Sequence, residues 1–198
     1  MAETNNIEQQ PAENSKPERS KNNRNGNRPR RNDRDRRAPR EADEFDKRTI
    51  NIRTVQKVIA GGRTMSMSAL CAVGDKKGRV GIGLGKAKET ANAVEKALAE
   101  AKRTMITVPV VNGTIPHEIE AKFGSSTIKL LPAKEGTGII AGGAARPILE
   151  LAGIKNITAK NHGSNNKINT VRATFKALQS LQTAEQIAKA RGKNVEDL

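Results

Sequence analysis

From residue 50 onward apolar side chains fall on alternate positions, and after residue 85 their spacing lengthens. Ile50 and Ile52 alternate with polar neighbours, and the apolar pattern resumes at Val55, Val58 and Ile59, which predicts one strand carrying a bulge. Gly61-Gly62 signals a turn. Met65, Met67, Ala69, Cys71 and Val73 then share one strand face, with Ser66 and Ser68 on the other. Gly74-Asp75-Lys76-Lys77-Gly78 reverses the chain, and Val80, Ile82 and Leu84 repeat at period two around Gly81 and Gly83. Three strands joined by short turns predict an antiparallel meander. Past Gly85, Thr90, Val94, Ala97, Leu98 and Ala101 form a helical stripe, with Lys88, Glu95, Lys96, Glu100 and Lys102 on the remaining surface. This helix is expected to cover one face of the meander. The bare strand at Gly81 and Gly83 invites close approach by that helix or by a neighbouring chain.

A second module is expected downstream. Met105 to Val111 is β-rich, and Asn112-Gly113 is the strongest local hairpin signal in the chain. Thr127 to Leu131 reads as a strand closed by Pro132. The glycine-rich run Glu135 to Gly143 leads into a helix through Pro147, Ile148, Leu149 and Leu151, which Gly153 stops. Ile154 to Ala159 reads as a short strand. Asn169 is the expected cap of a helix whose inner stripe is Val171, Thr174, Phe175 and Leu178. Thr183 with Gln186 has the pattern of a capping box for a last short helix, ended by Gly192. The order βββα then ββαβαα predicts an α+β chain of two small α/β-sandwich modules, each a sheet with helices on one side.

Charge narrows the function. Of 198 residues, 36 are basic and 21 acidic, a formal net charge of +15. Residues 1–46 hold eleven basic and ten acidic residues and little to bury, and they read as a disordered, blockily charged tail. A solubilising tail and an RNA-touching arm both fit it. Residues 47–198 carry twenty-five basic and eleven acidic residues, a net +14, so the folding part itself favours a polyanion. Trp and Tyr are absent and three Phe are present, too few for a protein that grips single strands by base stacking. The single cysteine, Cys71, allows no internal disulfide and suits a reducing compartment. No apolar run is long enough to span a bilayer, and the N-terminus lacks the features of a secretory signal, so the expectation is a cytoplasmic protein with no membrane partner.

Motif chemistry points away from catalysis. Gly81-Ile82-Gly83-Leu84-Gly85-Lys86 fails the P-loop spacing, because Val80 and Ala87 stand where glycine and Ser or Thr are needed, and it fails the dinucleotide spacing too. The 135–143 run is open to three readings: a backbone phosphate cradle, a flat surface for another protein, or local packing. His117 and His162 are the only histidines, the acids nearest His117 (Glu118 and Glu120) sit on a segment read as polar, and no carboxylate cluster has metal-ligand spacing. No enzyme activity, no metal, no cofactor and no dedicated small-molecule substrate are expected. Basic residues flank the turns instead: Arg53, Lys57 and Arg63 the first, Lys76, Lys77 and Arg79 the second, with Lys86 and Lys88 opening the helix. The meander should place Arg63 and Lys86 at one end and the 76–79 cluster at the other, a spread suited to the backbone of a folded RNA.

Several stretches, in order, carry a resemblance. They are Gly61-Gly62-Arg63, Gly74-Asp75 to Lys86-Ala87, Gly124-Ser125-Ser126, Pro132-Ala133, the run from Glu135 to Gly143, Ala152-Gly153, and His162-Gly163-Ser164 followed by Asn166 and Asn169. From about residue 45 onward the chain resembles the bacterial ribosomal protein S5 family. The resemblance implies a double-stranded-RNA-binding-like domain over 47–112 and a C-terminal domain over 113–198 with a left-handed βαβ crossover. It implies a structural, ribonucleoprotein role in translation: binding 16S ribosomal RNA near the joint of head and body, contacts with ribosomal proteins S4 and S8, and support of accuracy. It also implies a place at the messenger RNA entry channel with S3 and S4. An RNA chaperone acting off the ribosome, or a small enzyme sharing the second fold, is the alternative. Residue by residue, Gly61-Gly62-Arg63 corresponds to the family loop near the spectinomycin site, and Ala60 stands where the family commonly has lysine. Met65 and Met67 stand where aromatics are common. Gly138 and Arg146, with Gly136 and Thr137 beside them, match positions associated with the S4 side and with accuracy. The first forty residues have no counterpart in the family pattern.

Overall fold

The computed structural model describes residues 45–193. The reading of 1–46 as a disordered tail lies outside the described residues, apart from Phe45 and Asp46. Eight strands and four helices are present among them. Strands β1 (Asp46–Ile59), β2 (Gly62–Gly74) and β3 (Arg79–Ala87) form the expected meander, and β4 (Ile106–Thr107) pairs antiparallel with β3 to complete the first sheet. Met105–Val111 therefore does not open the second module. Only Ile106 and Thr107 are strand, and they belong to the first sheet. The bulge in β1 falls at Ile50, where the register steps from Thr49 opposite Cys71 to Asn51 opposite Leu70. That is earlier than the gap between Ile52 and Val55 predicted, because the long β1–β2 ribbon pairs without a break from Asn51 to its tip.

Helix α1 (Thr90–Arg103) lies on one face of this sheet. Its buried line is Ala93, Ala97 and Ala101, while Val94 and Leu98 are half-buried at the flank and Thr90 is exposed. The stripe is thus rotated from the one expected, because β3 offers glycine where the helix touches it. A Cβ at Gly81, Gly83 or Gly85 would stand 2.1–2.2 Å from the carbonyl oxygens of Ala101, Ala97 and Ala93 respectively. The spacings match: four helical residues rise about 6 Å and two strand residues about 6.6 Å, so each glycine meets one alanine turn. The nucleotide-like glycine spacing is explained by this packing, and the close approach is made by the chain's own helix.

The second sheet runs β5-β6-β8-β7, with β5 (Ile119–Phe123), β6 (Ser126–Pro132), β7 (Ile139–Ile140) and β8 (Ile157–Gly163). β5 was read as polar, yet Ile119, Ala121 and Phe123 alternate inward around exposed Glu120 and Lys122. β8 begins three residues later than expected, and β7 lies inside the glycine-rich run. β7 and β8 are parallel and joined through α2 (Arg146–Leu151). Helix α3 (Lys167–Gln179) is capped by Asn166, whose Oδ1 accepts from the Ile168 N–H, and not by Asn169, which lies inside the first turn. Helix α4 (Ala184–Arg191) has the expected Thr183–Gln186 capping box and left-handed Gly192.

These are two α+β modules with one shared core. Leu70, Ala72 and Val80 of the first sheet join Ile148, Leu149, Leu151 and Val171 of the second module in a single apolar cluster. β2 is consequently buried on both faces from Ala69 to Val73, with Ala69 and Cys71 toward α1. The β2–β3 turn is part of the seam. Lys76 N–H donates to Leu151 O at 3.0 Å and Gly78 N–H to Ala152 O at 3.0 Å, filling carbonyls that α2 leaves open at its C-terminus. Inside that turn Asp75, with a side chain 6% exposed, accepts from Lys77 N–H at 2.7 Å, Arg79 N–H at 3.0 Å and Arg79 Nε at 2.7 Å. Burial pushes its carboxyl pKa upward, but the Arg79 side chain and the two backbone donors outweigh burial and hold it below the ordinary value.

Two outcomes follow from this packing. Gly83→Ala should lower stability by at least about 2 kcal/mol, since α1 must move away, whereas Gly61→Ala, with open space around it, should stay within about 0.5 kcal/mol; urea denaturation of both reads this. For Asp75 the folded pKa is depressed, so its contribution is complete above about pH 4, the unfolded value, and is lost as pH falls through the folded value. Asp75→Asn should therefore cost about 1–2 kcal/mol at pH 7, and the gap to wild type should close below about pH 4 in a melting series.

Candidate nucleic-acid interface

The β1–β2 ribbon outlasts the rest of its sheet. β3 ends at Ala87 opposite Met67, so Gly62–Ser66 and their β1 partners project about 15 Å as a two-stranded hairpin. Ala60 and Gly61 turn the chain between the last pair, Ile59 and Gly62, and Arg63 is exposed at this tip opposite Val58. Val58, Ile59 and Met65 are exposed here at 71%, 50% and 57%, so the projection holds basic and apolar side chains together, away from any core.

Between the hairpin and the first turns of α1 lies an open groove of about 840 Å³. Lys57, Lys86 and Lys88 meet in it, and α1 adds Lys96, with Thr64, Ser66 and Asn92 as polar lining. Glu89 and Glu95 also line it, and the Glu89 carboxylate accepts from Asn92 Nδ2 at 3.0 Å. Among the described residues, Arg53, Lys57, Arg63, Lys86 and Lys88 have no carboxylate within ion-pair distance. Lys96, Thr64 and Ser66 were not read as binding residues in the sequence, because only the placement of the hairpin beside α1 brings them to one groove.

The far end is electrostatically different. Lys76 is ion-paired with Asp46, and Arg79 with Asp75 at 2.7 Å, while the Arg79 guanidinium also lies 5.4 Å from the centre of the Phe45 ring. Lys76 and Lys77 contribute backbone N–H groups to the seam and to Asp75. The two ends of the sheet are separated as the meander predicts. One presents free cations, and the other holds most of its cations in internal contacts.

The Gly136–Arg146 segment divides between packing and exposure. Ile139 packs against the core and Ala144 and Ala145 are buried, while Ile140 is 54% exposed. Gly136 and Gly138 turn with φ of 87° and 73°, Thr137 N–H donates to Lys134 O at 3.2 Å, and Gly138 N–H donates to Asn156 Oδ1 at 3.1 Å. Arg146 Nε pairs with Glu150 at 3.0 Å, and Arg48 approaches the same carboxylate at 4.0 Å. His117 is engaged within the fold: Nδ1–H donates to Glu118 O at 2.8 Å while Nε2 accepts from Gln182 N–H at 3.3 Å. Burial pushes the Cys71 thiol pKa up, against a weaker contact to Thr49, which keeps it protonated at neutral pH. Among the described residues no three of His, Cys, Asp and Glu are grouped to hold a metal, and no helix is long and apolar enough to cross a membrane.

Two family descriptions match this chain in sequence: "Ribosomal protein S5, N-terminal domain" over residues 45–109, and "Ribosomal protein S5, C-terminal domain" over residues 121–191. The chain belongs to the ribosomal protein S5 family. Its relatives include the "Small ribosomal subunit protein uS5" of Mycoplasmopsis agalactiae, 52% identical over 156 residues, covering 78% of this chain and 68% of the relative. The protein of the same description from Fusobacterium nucleatum is 49% identical over 159 residues, covering 80% of this chain and 97% of the relative. As a member of the S5 family the chain is a ribosomal protein with a general role in binding ribosomal RNA. The first family match spans β1 to β4, and the second begins within β5 and spans the rest of the second sheet.

Proposed function

We propose that the chain is a structural constituent of the small ribosomal subunit in the cytoplasm, bound to 16S ribosomal RNA near the joint of head and body. The carrying observation is the hairpin end, where Lys57, Lys86 and Lys88 line an open groove and, with Arg53 and Arg63 on the same ribbon, have no carboxylate within ion-pair distance among the described residues. Cations left unpaired by the fold are free to neutralise phosphates, and the planar fork of Arg63 suits a bidentate grip. Gly61 and Gly62, with nothing near their Cβ positions, let RNA approach the backbone of the tip. Lys76 and Arg79 touch RNA secondarily, since their charges are paired internally, while the Lys77 ammonium has no ion-pair partner among the described residues. We assign residues 47–112 to a double-stranded-RNA-binding-like domain and 113–198 to the family's C-terminal domain, with a left-handed β7-α2-β8 crossover.

On the second module, Gly136, Thr137, Gly138 and Arg146 form the side that meets ribosomal protein S4. Ribosomal protein S8 is a further neighbour, and the messenger RNA entry is shared with S3 and S4. Exposed Ile140 supports this reading, as does the Arg146 guanidinium, which keeps donors beyond the Nε bound to Glu150. Contacts there hold a conformational balance that supports decoding accuracy. An RNA chaperone off the ribosome is the other reading, and cosedimentation decides between them: the tagged full chain should travel with small subunits through a sucrose gradient. Recovery only in the soluble fraction would favour the chaperone.

For RNA binding, the log–log dependence of affinity on monovalent salt should have a slope of magnitude at least about 4, if roughly six phosphates are engaged. Arg63→Lys should weaken binding modestly and Arg63→Glu far more; equal affinity of all three proteins would mean that Arg63 faces solvent in the complex. Arg146→Leu should raise near-cognate readthrough with the melting temperature nearly unchanged, since an exposed i,i+4 pair is worth about 0.3–0.5 kcal/mol. A large drop in melting temperature with normal readthrough would place the role of Arg146 inside its own domain.

A further inference from the structure

Behind the hairpin, where the two modules face each other, lies a second opening of about 370 Å³. Asn51 and Arg53 of β1 form one wall, and Asn165, Asn166 and Lys167, leading into α3, form the other. Every lining side chain is polar and none is acidic. Across the opening Lys167 Nζ lies 3.5 Å from Asn51 Oδ1, at the long limit of a hydrogen bond. Neither Arg53 nor Lys167 has a carboxylate within ion-pair distance among the described residues. Two cations from different modules thus share one solvent-filled space without counter-charge. Their mutual repulsion is relieved by an anion between them, and a guanidinium with an ammonium and carboxamide donors is a set that phosphate accepts.

One cross-strand row links the cleft to the groove. Arg53 stands opposite Ser68, and Ser68 opposite Lys86, so these three share one sheet face in a single row. Lys86 lines the groove and Arg53 lines the cleft. A backbone lying along this row reaches both spaces.

We propose that the inter-module cleft is a seat for one RNA phosphodiester, held jointly by Arg53 of the first module and Lys167 of the second, with Asn165 as a further donor. This rests on the reading of the chain as an RNA-binding protein, and it adds a contact made by both modules at once. Asn166 commits its Oδ1 to capping α3, which leaves its N–H groups as the donors it can offer. An anion held this way couples RNA binding to the relative placement of the modules. Placing a negative charge in the seat should therefore harm binding without harming the fold.

The test uses the full chain and a 16S ribosomal RNA transcript, with affinity measured across a monovalent salt series and thermal unfolding in parallel. Lys167→Gln should weaken binding about fivefold and lower the magnitude of the salt slope by about 1. Asn165→Asp, whose side chain has no hydrogen bond within the described residues, should weaken it by about tenfold while leaving the melting temperature unchanged or higher. Arg53→Gln combined with Lys167→Gln should cost less than the product of the two single losses, because both hold the same group. Wild-type affinity and slope in both Lys167→Gln and Asn165→Asp would overturn the proposal. Arg63→Glu, outside the cleft, separates the two levels: if it alone loses affinity, only the seat is wrong. If it too binds like wild type, the RNA reading of the hairpin falls together with the seat.

Discussion

The rest of the structure depends on the turn between β2 and β3 closing onto the C-terminus of α2. A helix of six residues leaves its last carbonyls open, and here Leu151 O and Ala152 O are filled by N–H groups of Lys76 and Gly78. Backbone meets backbone because no side chain intervenes: a Cβ at Gly74 would stand 2.4 Å from Leu151 O, and one at Gly153 2.2 Å from Lys76 O. Asp75 rigidifies the same turn from inside with three hydrogen bonds. The two modules are thereby joined by fixed geometry as well as by apolar burial, and the shared core from Leu70 to Val171 can form.

That joint also decides where the charge is available. Lys76 and Arg79 lie beside the seam and pair with Asp46 and Asp75, although both cationic side chains stay more than half exposed. The opposite end of the sheet has no such obligation. Its hairpin extends beyond the core at Met67, and among the described residues Lys57, Arg63, Lys86 and Lys88 there have no carboxylate within ion-pair distance, which suits a polyanion. The net charge of the folding part says that a polyanion is wanted. The pattern of ion pairs says which end keeps its cations available.

On the other face of the first sheet, the glycines of β3 and the alanines of α1 solve a different problem. A helix of larger side chains would stand off a strand, whereas Gly81, Gly83 and Gly85 let the Ala93, Ala97 and Ala101 turns approach to backbone contact. The edge of β3 is closed at the same time, because Thr104 Oγ1 donates to Ile82 O at 2.6 Å and Leu84 N–H donates to Glu100 at 2.9 Å. An edge satisfied by the chain's own side chains is not a template for pairing with another strand. The position of α1 in turn forms one wall of the basic groove.

Much of this was legible in order along the chain. Period two gave the meander, period 3.6 gave α1, and the Thr183–Gln186 pair gave the start of α4, because these signals come from neighbours in sequence. The family motifs made the fold family and the general RNA role readable as well. Where local signals were weak, the reading slipped. β5 was hidden by Glu120 and Lys122, Asn166 lost the cap of α3 to Asn169, and Met105–Val111 suggested a longer strand than the two residues that pair with β3. The sequence alone thus determined the composition of the two sheets' main strands, the strongly basic character and the residues able to bind phosphate. Tertiary structure decided which of those cations are free, that Lys96 joins Lys57, Lys86 and Lys88, and that Lys167 faces Arg53 across 114 positions of chain. The physical reason is that alternation and capping act over a few residues. Ion pairing and the meeting of cleft walls are set by contacts between distant segments, which only the docking of the two modules creates.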